Sequence, residues 1–101
     1  MAEQIVLKRE WKTVDLDGNG GQPIKIGDST YQREWCLDID HQEGSYILYV
    51  KTYKDEDEEL ETIEVPVGGY ARVCLKGFQL KLFGTGSTKY AFPWVLLKET
   101  E

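Results

Sequence analysis

The chain has 101 residues and a formal net charge of −6, from 12 basic and 18 acidic side chains. Hydrophobic residues make up 41% and charged residues 30%, which is ordinary for one globular domain spanning residues 1–101 and excludes a disordered tail protein. The negative charge disfavours nucleic-acid binding, because phosphate backbones repel it. We expect no membrane span and no export signal, and therefore a soluble protein made in the cytoplasm.

The first part of the chain is predicted to form strands with one buried face. Apolar and polar residues alternate over residues 3–14, as they do in a half-buried strand. Residues 15–21 combine the Asp, Asn and Gly residues of a turn, and residues 23–26 follow as a short strand. Alternation over residues 30–40 predicts another one-sided strand.

Residues 46–53, which read Tyr-Ile-Leu-Tyr-Val-Lys-Thr-Tyr, are predicted to form the central strand. The first five residues are apolar on both faces, and β-branched and aromatic side chains favour a pleated chain. A strand that is covered on both sides has this pattern. We therefore expect an inner strand.

The second half of the chain begins with a charged segment. Residues 54–61 carry so many acidic side chains that like charges are expected to extend them as a solvated loop. Residues 62–67 are then predicted to form a strand, and Pro66 indicates either an edge position or an early end of the strand, because proline lacks the backbone donor that an inner strand needs.

Three further strands are predicted near the C-terminus. Residues 70–75 and 78–83 form two short strands joined by a hairpin turn at residues 76–77, Lys-Gly. Residues 90–98 form the last strand, in which Pro93 again points to an edge.

The predicted fold is all-β. About eight short strands are separated by regular turn signals, and no window carries a helical period. We expect a single antiparallel β-sandwich or jelly-roll-like domain, or a small barrel.

Two cysteines, Cys36 and Cys74, lie inside predicted strands. The favoured interpretation is a pair of free buried thiols, because a disulfide scaffold usually places its cysteines in loops. The alternative is one disulfide between the two strands.

Residues 15–20 match the first half of a calcium-binding loop. Asp15, Asp17 and Asn19 would supply oxygen ligands at alternate positions before a glycine. The second half does not match, since Ile26 occupies the place of the bidentate glutamate. A calcium ion would therefore need a ligand from elsewhere, such as Asp28, and the competing interpretation is a plain turn.

Catalytic patterns are absent from the sequence, so we expect no enzyme and no cofactor. His41 is the only histidine, and Ser29, Ser45 and Ser87 lie in turns without a nucleophile-elbow pattern. Residues 84–89 lack the Gly-Lys-Ser/Thr spacing of a phosphate-binding loop.

Aromatic side chains give the sequence its candidate binding surface. The three tryptophans, Trp11, Trp35 and Trp94, fall on predicted inward faces. Three tyrosines are candidates for an exposed platform that stacks on sugar rings or anchors a protein interface, namely Tyr49, Tyr53 and Tyr70. Packing in the core or at its rim is the competing interpretation.

Two functions fit these features. The first is a non-enzymatic structural or interaction subunit that joins protein partners, as a homo-oligomer or within a larger assembly. In size and strand layout the chain resembles the compact sandwich proteins that bacteriophages use as capsid-decorating or tail accessory subunits, which implies a place in a virion. The second is a carbohydrate-binding module of the sandwich type, assisted by calcium in the turn at residues 15–20.

Overall fold

The computed structural model describes residues 3–8, 10–19, 22–44, 46–93 and 95–100, with the backbone alone for residues 3–8, 18–19 and 95–100. These residues form strands and one short 3-10 turn, Leu16–Asn19. In chain order the strands are β1 (Glu3–Lys8), β2 (Lys12–Asp15), β3 (Ile24–His41), β4 (Ile47–Tyr53), β5 (Glu59–Pro66), β6 (Gly69–Phe83), β7 (Ser87–Ala91) and β8 (Val95–Thr100). None of the helical segments in these ranges has the length and hydropathy needed to traverse a bilayer.

Six of these strands hydrogen-bond into one sheet in the order β2-β7-β3-β6-β4-β5. β1 pairs with β8 in a separate two-stranded sheet, and every described pairing is antiparallel. The predicted all-β antiparallel fold is therefore confirmed. The predicted sandwich or jelly roll of about eight short strands is not confirmed, because the main sheet is single and two of its strands are long.

The two long strands replace four predicted short ones. β3 joins the segments predicted at residues 23–26 and 30–40, and β6 joins those predicted at residues 70–75 and 78–83. The ladder between β3 and β6 is irregular at residues 29–32, where β3 carries extra residues. The turn-forming residues inside these segments thus mark a place where the β3–β6 ladder is irregular, and they do not end the strands.

The predicted hairpin at residues 76–77 is wrong, because both residues lie inside β6 and pair with β3. Gly77 serves packing there. A Cβ atom on Gly77 would lie only 2.5 Å from the Cβ of Thr52 on the neighbouring strand β4. Thr52 Oγ1 also donates a hydrogen bond to the backbone oxygen of Lys76, at 2.7 Å. The glycine therefore allows Thr52 to pack against β6.

The prediction of an inner central strand is confirmed for β4, which pairs with β5 on one side and β6 on the other. Its even-numbered side chains, Leu48 and Val50, are fully buried. Tyr46, which was predicted to begin this strand, precedes it and is 82% exposed. The predicted edge position of Pro66 is also confirmed, since it ends β5 at the border of the sheet.

One face of the sheet carries the core, and the indole of Trp35 lies within it. Trp35 Nε1 donates a hydrogen bond to the backbone oxygen of Gly77 at 3.1 Å. A Cβ atom on Gly27 would lie 2.7 Å from the indole ring, so the glycine allows the ring to lie against the backbone of β3. Fully buried neighbours complete this face, namely Leu37, Ile39, Leu48, Val50, Leu80 and Leu82.

A disulfide joins Cys36 and Cys74, so the favoured interpretation of free buried thiols is wrong. The two residues are direct partners in the β3–β6 ladder, with Cα atoms 4.1 Å apart. They lie on the face opposite the core, where Cys74 is exposed. Successive side chains of a strand point to opposite faces of the sheet. Trp35, Leu37 and Leu75 point into the core, so their neighbours Cys36 and Cys74 point to the outer face.

We expect reduction of this disulfide to lower the free energy of unfolding by about 2–4 kcal/mol, because the bond closes a loop in the unfolded chain. Its cysteines are separated by 38 residues. Denaturant unfolding with and without a reducing agent measures the change. A double variant, Cys36→Ser with Cys74→Ser, should match the reduced wild-type protein and should not respond to the reducing agent. Equal stability of the oxidised and reduced forms would contradict this prediction.

The acidic segment forms the tip of the β4–β5 hairpin, and the side chains of Asp55 and Glu56 are paired there. The Asp55 carboxylate accepts hydrogen bonds from the backbone N–H groups of Asp57 and Glu58, both at 2.9 Å. Glu56 accepts a hydrogen bond from Gln79 at 3.1 Å and lies 3.3 Å from Lys81 Nζ. The prediction of an extended loop over residues 54–61 holds only in part, because β5 already begins at Glu59.

Hydrogen bonds and nearby lysines in this hairpin lower the pKa values of three carboxyl groups, those of Asp55, Glu56 and Glu59. Backbone donors lower the pKa of Asp55, and the hydrogen bond from Gln79 together with Lys81 lowers that of Glu56. The Thr62 hydroxyl and Lys51 lower the pKa of Glu59. Each group therefore favours the folded state when ionised, at a pH above its ordinary pKa, and loses that contribution as the pH falls through its lowered pKa.

We accordingly expect the thermal midpoint to fall on acidification below pH 4.5, the ordinary pKa of a glutamate here. Glu56→Gln should reduce the pH dependence, because it removes one of the linked groups. Glu64→Gln, which removes an exposed carboxylate from the same hairpin, is the control for the change in net charge. If the thermal midpoints of Glu56→Gln and the wild-type protein depended on pH in the same way, the pairing of Glu56 would not contribute to the pH dependence of stability.

Candidate functional site

The candidate site is a pocket at the end of the sheet where β2, β7 and β3 lie side by side. It has a volume of about 290 Å³. Every described residue of its lining is polar: Thr13, Asp40, Gln42, Glu43, Ser87, Thr88 and Lys89. Two carboxylates, one ammonium group and several hydroxyl groups therefore converge on a small concave surface.

A cross-strand row places the central residues of this pocket. Thr13 on β2 is the ladder partner of Lys89 on β7, and Lys89 is the partner of Asp40 on β3. Asp40 is in turn the partner of Tyr70 on β6. Directly opposed residues share a face with Cβ atoms about 4.5–5.5 Å apart. The register of four strands thus aligns a hydroxyl, an ammonium, a carboxylate and a phenol on the outer face.

Two glycines allow the loops at the rim to approach each other closely. Gly44 and Gly86 have φ values of 97° and 76°, which other residues seldom adopt. A Cβ atom on Gly44 would lie 2.3 Å from the backbone oxygen of Thr85, and one on Gly86 would lie 2.5 Å from the Cα of Gly44. The Gly86 oxygen accepts a hydrogen bond from Leu16 N at 2.7 Å. Backbone contacts therefore fix this rim.

Below the pocket lies a buried polar pair. His41 is fully buried, and its Nδ1 lies 3.2 Å from Thr88 Oγ1. Thr88 Oγ1 also lies 3.5 Å from the backbone oxygen of Asp40, to which it donates a hydrogen bond. The His41 oxygen accepts a hydrogen bond from Gly68 N at 2.7 Å. The two contacts of Thr88, which itself lines the pocket, join β7 to β3, and the bond from Gly68 joins β3 to the turn before β6.

Trp11 and Tyr70 form an aromatic pair on the outer face beside the pocket. Their ring centroids are 5.7 Å apart, and the side chains are 39% and 55% exposed. β7 and β3 lie between β2, which Trp11 precedes, and β6, which carries Tyr70. Asp38 on β3 is fully buried. Arg72 binds Asp38 through Nε at 2.7 Å and Nη2 at 3.3 Å, and the carboxylate raises the pKa of this guanidinium.

The inward position predicted for Trp11 is therefore wrong, whereas the buried position of Trp35 is confirmed. Trp11 immediately precedes β2, and Thr13 on the same side of that strand is exposed. The alternation predicted over residues 3–14 is interrupted between β1 and β2, which belong to different sheets. Trp94 lies outside the described residues.

The structure does not unite the three candidate tyrosines. Tyr49 is partly buried against Phe83, with ring centroids 6.2 Å apart. Tyr53 is 8% exposed, and Lys81 Nζ lies 4.5 Å from its ring centroid. Tyr70 precedes Phe83 by thirteen residues on β6, or up to about 40 Å of extended strand. Tyr70 has Trp11 as its aromatic neighbour instead.

The candidate calcium residues lie at the end of β2. Asp15 Oδ1 accepts a hydrogen bond from the Asp17 backbone at 3.1 Å, as in a plain turn. The side chain of Asn19 lies outside the described residues. Asp28, the additional ligand considered, binds Lys25 at 3.2 Å. Among the described residues, no group of three His, Cys, Asp or Glu side chains is arranged to hold a metal ion.

The serines considered as nucleophiles also have defined surroundings. Ser29 Oγ accepts a hydrogen bond from Tyr31 N at 3.3 Å, and Ser45 lies outside the described residues. Ser87 lines the pocket, but the described lining does not include His41. The arrangement offers hydrogen-bonding groups for a bound molecule and no activated nucleophile among the described side chains.

Comparison of the chain with known protein families, with characterised proteins and with solved structures found no match. The sequence alone does not reveal the pocket, because Gln42, Glu43 and Lys89 are ordinary polar residues in separate segments. The glycines at positions 44 and 86 were the available signal, since each breaks a polar segment at a point where the chain turns.

We expect Gly44→Ala to destabilise the protein by at least about 1 kcal/mol more than Gly68→Ala, because overpacking adds to the backbone cost. Both glycines have positive φ, at 97° and 85°, but a Cβ atom on Gly68 meets nothing within 4 Å. Denaturant unfolding of the two variants measures the difference. Equal losses of stability in the two variants would mean that the backbone at Thr85 moves away from an added Cβ atom at position 44 without a cost in free energy.

Proposed function

We propose that this protein is a non-enzymatic binding subunit of a larger assembly and that it contacts its partners through the Trp11 patch, defined as Trp11, Tyr70 and Arg72. The observation that carries the proposal is the placement of these three side chains together on the outer face of the sheet. Tryptophan, tyrosine and arginine are the residue types most enriched among side chains that dominate interface energies.

The base of the patch supports this role because it is held in place before any partner binds. Arg72 is fixed by the buried carboxylate of Asp38, and the next outward-facing pair along the ladder is the disulfide between Cys36 and Cys74. A surface that is already ordered loses less conformational entropy on binding. Trp11 and Tyr70 also remain partly exposed, so their rings retain area for a partner to cover.

The assembly that we propose is a bacteriophage virion, with the protein as a capsid-decorating or tail accessory subunit that forms a homo-oligomer. The all-β antiparallel layout and the length of 101 residues agree with this setting. The disulfide also agrees with it, since such bonds persist on virion surfaces and are rare in reducing cytosol. The net charge of −6 favours protein partners over nucleic acid.

We expect the purified protein to form a discrete closed oligomer, such as a trimer, in light scattering over a wide concentration range. Trp11→Ala and Arg72→Ala should each shift the molar mass towards the monomer, because an interface of standard size depends on a few such residues. Tyr46→Ala is the matched control, since this aromatic side chain is 82% exposed and lies outside the patch. A wild-type protein that is monomeric at every concentration, or an equal effect of Tyr46→Ala, would contradict the proposal.

A further inference from the structure

We infer that the pocket beside the Trp11 patch binds a neutral saccharide. This inference rests on the proposed function, because it names the chemical class of one partner of that binding subunit. It differs from the sequence-based hypothesis, which placed sugar stacking on Tyr49, Tyr53 and Tyr70. In the structure, the pocket and the aromatic pair lie at the end of the sheet that holds Asp40 and Lys89.

The lining has the hydrogen-bonding groups that sugar hydroxyls require. Asp40 and Glu43 accept hydrogen bonds from hydroxyl groups, and Lys89 donates to hydroxyl oxygens. Hydrogen bonds to ionised groups are stronger than those between neutral groups. Ser87 and Thr13 add hydroxyl groups that both donate and accept. A ligand with several neighbouring hydroxyls can therefore satisfy this lining at several positions at once.

The charge of the pocket selects against acidic ligands. Asp40 and Glu43 carry two negative charges against the single positive charge of Lys89, and the whole chain has a net charge of −6. A phosphate or carboxylate would approach two carboxylates inside a small concavity, where like charges repel most strongly. The saccharide that fits is therefore uncharged.

The size of the pocket sets the number of sugar rings that enter it. A volume of about 290 Å³ lies at the lower end of the usual range for small-molecule sites, roughly 300–1,000 Å³. One ring of a glycan can enter, and a longer chain must continue outside. Tyr70 is the ladder partner of Asp40 and contacts Trp11, so the aromatic pair borders the pocket on the outer face, and its exposed faces are left for the protein interface.

The pocket is also prepared for binding. The close contact of Gly44 with Gly86 and the buried pair of His41 and Thr88 fix the backbone around the lining. A fixed lining loses little entropy when a weakly interacting ligand binds. Polar side chains on rigid strands are a common basis of ligand specificity.

The test is calorimetric titration of the oxidised full-length chain with neutral sugars. The panel contains glucose, galactose, mannose and N-acetylglucosamine with their short oligomers, and the matched acidic probes are glucose phosphate and galacturonate. We expect binding of at least one neutral sugar with a Kd of about 1 mM or below, and at least tenfold weaker binding of its acidic counterpart.

Three variants locate the site. Asp40→Asn and Glu43→Gln keep the side-chain shape and should each weaken binding about tenfold or more, because a charged acceptor is lost. Trp11→Ala should leave binding of the monosaccharide unchanged, since Trp11 lies outside the pocket lining and belongs to the proposed protein interface. Tyr31→Ala is the control, because this tyrosine is 62% exposed on the irregular part of β3.

Several outcomes would overturn the inference. The first is that no neutral sugar gives a heat of binding, and the second is that the acidic probes bind as tightly as the neutral sugars. The third is that Asp40→Asn and Glu43→Gln bind sugar as tightly as the wild-type protein while the thermal midpoints of both variants stay at the wild-type value. Failure here is distinct from failure of the proposed function. A protein that forms an oligomer sensitive to Trp11→Ala but binds no sugar keeps its role as an assembly subunit and loses only the saccharide.

Discussion

The pairing register of β3 with β6 is the constraint on which the rest of the structure depends. Trp35 fixes this register, because its indole donates to the backbone of Gly77 and lies against the backbone of Gly27. A shift by one residue would move every side chain of a strand to the opposite face. The core residues would then reach solvent, and Cys36 would no longer oppose Cys74.

The candidate site follows from the same register. Asp40 opposes Tyr70 because Trp35 opposes Leu75 further along the ladder, and β7 then adds Lys89 on the other side of Asp40. The outer face therefore holds a polar row and an aromatic pair, while the inner face is mainly apolar, with Thr52, His41 and Thr88 as buried polar residues. The residues for which we propose a function lie on the outer face of the sheet, and packing of the core on the inner face determines their positions.

Much of the fold could be predicted from the sequence because alternation is a local signal. The central strand β4, the burial of Trp35 and the edge position of Pro66 all depend on neighbouring residues along the chain. The continuity of β6 through Gly77 could not be predicted in this way, since the reason for that glycine is a side chain 25 residues earlier, Thr52. The disulfide was only the alternative interpretation for a similar reason, because the pairing of Cys36 with Cys74 requires the strand order.

The site was harder to predict than the fold. Trp11 looked like a core residue because it continues an apolar alternation, and only the change of sheet between β1 and β2 places it outside. The pocket residues come from three strands and one loop, and none belongs to a motif with fixed spacing. Tyr70 was a candidate for an aromatic platform, but its neighbours depend on strand order, which the sequence does not specify.

The disulfide has a consequence for how this chain tolerates change. Cys36 and Cys74 enclose the entire β4–β5 hairpin, whose tip at residues 54–58 is exposed. A longer or different tip would enlarge a loop that is already covalently closed at its base, and loop length itself costs little. The tip is thus suited to an inserted peptide that keeps Glu56 and its contacts with Gln79 and Lys81, and β3 and β6 would stay joined.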